Sequence, residues 1–197
     1  MTYSTRTILV LALVTLVGCA QTVRTRVNSF RAPEPINTSA SVAVVVSESR
    51  QAQSLEFGLY KSQLEQALVK QGFALAPPEQ AQLHAMLSYS VNRIADSSNN
   101  GVRTGVMVGS NRGGFGSNVM ILDNSRTSSW YERRVGVVLE RNNNERTRLY
   151  EINAQSEGAC GVLSAVVPDM LKALFSQFPM ANGAIKIISV PVSEKCQ

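Results

Sequence analysis

Histidine is nearly absent from this chain: among 197 residues there is one, His84. A single imidazole excludes a histidine-rich metal centre, and no carboxylate stands beside it in sequence. His84 therefore reads as a hydrogen-bonded strand residue rather than a ligand or a base. Catalytic and phosphate-binding signatures are missing too, with no Gly-x-Ser-x-Gly, His-Glu-x-x-His, phosphate-binding loop or Cys-x-x-Cys in the chain. Nothing indicates an enzyme, a cofactor or a bound metal. Long apolar runs are also lacking. Ile8 to Val17 is apolar except for Thr15, and ten residues fall well short of the roughly 20 that cross a bilayer core. Charge imbalance is small, 19 basic against 14 acidic residues. The basic residues are scattered, and with no nucleic-acid motif present, nucleic acid is not an expected partner. An apolar content of 44% argues against intrinsic disorder and for one folded domain.

What the N-terminus does contain is ordered. Arg6 precedes the apolar run, and Leu16-Val17-Gly18-Cys19 closes it. Length and flanks fit a secretory signal peptide, and the closing tetrapeptide resembles the lipobox of bacterial lipoproteins. The resemblance implies a signal peptide over residues 1–18, cleavage before Cys19, and acylation of the Cys19 thiol and new amine with fatty chains such as palmitate. Two or more chains hold stably, at about 0.8 kcal/mol per buried methylene. Residue 20 is Ala rather than Asp, which by the same resemblance favours the outer membrane, with the domain facing the periplasm. The competing reading is an ordinary signal peptide with a cysteine by chance.

Setting Cys19 aside leaves Cys160 and Cys196. In an oxidising compartment two remaining thiols read as one disulfide. It would close a loop of roughly 37 residues, worth about 3–4 kcal/mol in the chain-entropy model. Two free thiols are the alternative.

Residues 19–40 are polar and carry Pro33 and Pro35, which predicts a lipidated N-terminus followed by a flexible tether. A single domain is expected over 41–197. Val42 to Val46 reads as a buried strand. Phe57, Tyr60, Leu64 and Leu68 recur at helical spacing over 54–71, with Ser54 as N-cap and Gly72 as the stop. A short strand is expected at 73–76, and Leu83 to Val91 alternates as a half-buried strand. Six of the thirteen glycines lie between 101 and 116, so residues 96–118 read as a glycine-rich loop or hairpin. Residues 119–122 suit a short strand. Trp130 to Arg141 and Glu145 to Gln155 read as a hairpin closed by Asn142-Asn143-Asn144, since Asn tolerates the positive φ of tight turns. Leu163 to Phe178 carries a second apolar helix face, with Pro168 either near the start of that helix or at a kink. Ile185 to Val192 is a last strand. The sum is an α+β fold: a mostly antiparallel sheet with two amphipathic helices packed on one face.

This order of elements, with the lipobox, resembles the DUF4136 group of envelope lipoproteins. The residues that carry the likeness are Lys70-Gln71-Gly72-Phe73, the strand after them, the glycine-rich insert, the hairpin with Trp130 and Tyr150, and Phe175-Ser176-Gln177-Phe178-Pro179. The group often has Asp just before the residue matching Leu83, and this chain has Gln82. The resemblance supplies no catalytic residues.

Arg133, Arg134, Arg141, Arg146 and Arg148 crowd the hairpin. Guanidinium forks suit phosphate and carboxylate, so these five are candidate contacts for an anionic ligand. The alternative is a solvated face neutralised by Glu132, Glu140, Glu145 and Glu151. The functional expectation is a non-enzymatic outer-membrane lipoprotein with an accessory or structural role, attached to the membrane by its lipid and pairing with an envelope protein. The other reading is a lipid- or glycan-binding auxiliary module of an envelope transport system.

Overall fold

The computed structural model describes residues 21–46, 53–94, 129–193 and Cys196. The expected signal peptide over residues 1–18, Cys19, the glycine-rich stretch 96–118 and the strand expected at 119–122 lie outside the described residues. In chain order the elements are β1 (Thr22–Arg31), β2 (Ser41–Val46), α1 (Leu55–Lys70), β3 (Ala74–Leu75), β4 (Leu83–Ile94), β5 (Trp130–Arg141), β6 (Arg148–Gly158), α2 (Leu163–Phe175) and β7 (Ile185–Pro191). The strands form one sheet in the order β3-β2-β4-β5-β6-β1-β7. β2 runs parallel to β3 and β4, and every other pairing is antiparallel. The fold is α+β, with α1 serving as the crossover that parallel strands require.

One expectation fails at the start of the domain. The stretch read as a tether holds β1, which pairs with β6 on one side and β7 on the other. The polar composition that suggested a tether belongs to a strand that buries polar residues. Thr25 and Ser29 are fully buried on either side of Val27, so no apolar alternation marks it.

Register sets the core in cross-sheet rows. Tyr89, Val135, Ala154 and Val27 form one; Leu87, Val137, Ile152 and Ser29 form the next. Directly opposed residues share a face, so these rows build one buried surface. α1 adds Phe57, Tyr60, Leu64 and Leu68 to the same core, and the Tyr60 ring meets Tyr89 edge-on at 4.8 Å. Phe178 packs against Phe73, Tyr150 and Phe175, and the Tyr150 hydroxyl accepts the Met180 N–H at 3.0 Å.

Both ends of α1 follow from its sequence. The Ser54 Oγ accepts the Phe57 N–H at 3.3 Å. At the other end the Phe73 N–H reaches the Leu68 carbonyl and the Gly72 N–H reaches that of Val69, the two bonds of a Schellman motif. That motif needs a left-handed residue, and Gly72 sits at φ +100°. α2 runs through Pro168 from Leu163, leaving the carbonyl one turn back without its usual intrahelical donor. The turn between β5 and β6 also departs from expectation. Its left-handed residue is Arg146, φ 46°, not an asparagine. Asn142 instead turns its side-chain amide onto the carbonyls of Pro78 and Ala81.

Candidate functional site

The five hairpin arginines do not converge. Arg134 pairs with Glu132 at 2.7 Å, and Arg148 with Glu151 at 3.7 Å. Arg141 pairs with Glu34, from the segment between β1 and β2. Arg146 occupies the exposed turn. Exposed pairs of this kind contribute about 0–1 kcal/mol each, so Arg134, Arg141 and Arg148 are solvated and balanced by carboxylates, and Arg146 is solvated in the turn.

Arg133 is different. It lies on the core face of β5, only 4% exposed. Its row across the sheet is Val91, Arg133, Ser156 and Thr25, a polar continuation of the apolar rows. The guanidinium donates from Nη1 to the Cys160 carbonyl at 3.2 Å and from Nη2 to the Ser156 Oγ at 3.1 Å. Among the described residues its Nε–H has no partner, and neither has the Thr25 hydroxyl. Burial lowers the Arg133 pKa from its ordinary value, and nearby Glu157 pulls it back up. A Cβ on Gly158 would stand 2.7 Å from Arg133 Nη2, so glycine there leaves room for the guanidinium. The signal for this placement was positional: 133 shares parity with Val135, Val137 and Leu139.

Arg133 lines a recess of about 410 Å³ with Gln21, Arg24, Glu157, Ala165 and Cys196, among others. Cys160 and Cys196 are bonded across 36 residues, with Cα atoms 5.7 Å apart, and both line the recess. The N-terminus of α2 forms another wall. Its N-cap is Val162, which makes no side-chain cap, and no acidic residue sits in its first turn.

A second concavity of about 290 Å³ runs between α1 and α2. Ala67, Pro168, Leu171 and Phe175 give it apolar walls; Gln63, Gln66, Lys70, Gln71, Lys172 and Ser176 are its polar residues.

No family model and no curated protein matches the chain. Similar solved structures include a PDZ domain protein from Parabacteroides distasonis, at TM-score 0.51 and 10% identity over 87% of this chain. This chain spans only 40% of the length of that protein. Another is the PelC dodecamer from Paraburkholderia phytofirmans, at TM-score 0.43 and 13% identity, covering 77% of this chain and 95% of that one. The first likeness is one of fold alone, and the second is too slight to carry an argument.

His84 sits on β4 opposite Glu140 of β5, with its Nε2 3.0 Å from the Pro78 carbonyl oxygen. Asp169 gave no signal in the sequence, yet it is fully buried. It accepts the Ser193 N–H at 2.8 Å and Lys172 Nζ at 3.1 Å, tying α2 to the chain that follows β7. Among the described residues no three His, Cys, Asp or Glu side chains are grouped to hold a metal, and no helix is long and apolar enough to cross a membrane.

Proposed function

We propose that this chain is a non-enzymatic lipoprotein of the Gram-negative outer membrane, of the DUF4136 kind, with an accessory or structural role. Its α+β body faces the periplasm, and its two helices pack on one face of the sheet. The observation that carries the reading is cysteine pairing. With Cys160 bonded to Cys196, Cys19 is left as the one remaining thiol, and it stands at the lipobox. Packing on one face is supported by the shared core that α1 and α2 build, and by the Gln71 amide, which reaches the Phe175 carbonyl at 3.3 Å.

β1 begins at Thr22, three residues after Cys19. Three residues span at most about 11 Å, so the anchored body rides against the bilayer. Cys19→Ala abolishes palmitate incorporation and leaves the precursor uncut at that site. Normal labelling in this variant would overturn the proposal.

The second reading, a lipid- or glycan-binding auxiliary module, is favoured by the apolar-walled groove between the helices. Purification of the membrane-extracted protein separates the two. A stoichiometric envelope protein supports the accessory role; a bound lipid or glycan supports the module.

A further inference from the structure

The recess at the start of α2 collects donors that have too few acceptors. Arg133 offers five N–H groups, and among the described residues two are used, on Cys160 and Ser156. Its buried Nε–H has no partner among the described residues. The first turn of α2 presents backbone N–H groups that no side chain caps, together with the positive end of the helix dipole. Arg24 stands at the rim, exposed and alternating to the outer face of β1 from the buried Thr25. Among the described residues the one carboxylate lining the recess is Glu157. It is exposed and points to the other face of the sheet from Ser156 and Arg133. The inner wall is therefore donor-rich and positive.

We propose that this recess binds a phosphate ester, with Arg133 and the N-terminal turn of α2 as its two principal holders. A helix N-terminus beside a guanidinium fork is matched to an oxyanion in both charge and geometry. A carboxylate has two coplanar oxygens and satisfies one of the two holders well. A phosphate group has oxygens in tetrahedral array and meets the fork and the helix end together. The recess, at about 410 Å³, has room for the phosphate and part of what it esterifies. The disulfide holds the wall on which Cys160 lies.

Two sources share this chemistry: a phospholipid headgroup and a free phosphate compound. Gln21 lines the recess two residues after Cys19, so an anchored protein would carry the site next to headgroups. That choice of source rests on the lipoprotein reading. The site itself does not.

Calorimetric titration of the full-length, detergent-extracted protein tests it, with inorganic phosphate and with glycerophosphoglycerol as probes. Saturable binding is expected for at least one. A tighter fit for glycerophosphoglycerol assigns the headgroup, and a tighter fit for inorganic phosphate assigns the free compound. Arg133→Gln weakens binding about ten- to a hundred-fold, the usual effect of losing a charged hydrogen-bonding partner. Val162→Asp weakens it comparably by placing a carboxylate over the same N–H groups, while capping the helix and keeping or raising the melting temperature. If Arg133→Gln fails to fold, Val162→Asp alone decides. Absence of saturable binding of either probe, or unchanged affinity in Val162→Asp, overturns the proposal. Palmitate labelling at Cys19 reports on the anchor independently.

Discussion

Deleting residues 22–31 from the full chain removes β1 and nothing else. A tether tolerates this; a strand inside the sheet does not. β1 makes seven cross-strand pairs with β6 and seven with β7. At about one ladder bond per pair and about 0.5–1.5 kcal/mol per bond, the loss is roughly 7–20 kcal/mol. Burial of Val27, fully inaccessible, adds about 1.5–3 kcal/mol. Domains of this size hold only about 5–15 kcal/mol in total. The deletion therefore unfolds the domain instead of merely shortening its reach. Val27→Ala gives a graded version: two lost methyls plus the cavity amount to about 2–3 kcal/mol, a fall in melting temperature of about 4–12 °C. Circular dichroism melts and limited proteolysis of the three proteins are the assay. A deletion variant with a cooperative melt within about 3 °C of the parent would refute the placement of β1.

Replacing both Cys160 and Cys196 by Ser costs about 4 kcal/mol in the loop-entropy account, read as a drop of about 2 M in the urea midpoint. Overlapping unfolding curves for the parent and the variant would remove the disulfide from the energetics. Burial and the hydrogen bond to Glu56 raise the Tyr60 hydroxyl above the ordinary phenol value of 10.0. The unfolded chain ionises near the ordinary value, so stability linked to Tyr60 is intact below about pH 10 and declines as pH rises beyond it. Urea midpoints taken at about pH 8 and about pH 10.5 should diverge more for the parent than for Tyr60→Phe, and equal divergence would contradict this.

Much of this architecture is legible in residue order, where local chemistry and tertiary packing ask for the same thing. Ser54 and Gly72 bracket α1 because capping needs a side-chain acceptor at one end and a left-handed residue at the other. The β5–β6 hairpin reads from Val135, Val137 and Leu139, apolar at every second position and all buried. β1 was hidden because its inward row is Thr25, Val27 and Ser29, where hydroxyls stand in for hydrocarbon. Parity with Val135 points Arg133 inward, but its partners are hidden because they come from afar. Cys160 and the start of α2 enclose it, while the arginines beside it in sequence face water. Asp169 sits in an apolar helix face and finds its partner at Ser193, a contact no periodicity announces.

The position of β1 also orders events during folding. Thr25 pairs with Ser156 and Ile188, so both neighbours of β1 come from far along the chain. Closing such distant contacts is slow, and a strand with both edges open is a template for the wrong chain. Until β6 and β7 dock, β1 offers two open edges to other copies. Its arginines at 24, 26 and 31 give that waiting strand a charge that repels its own kind.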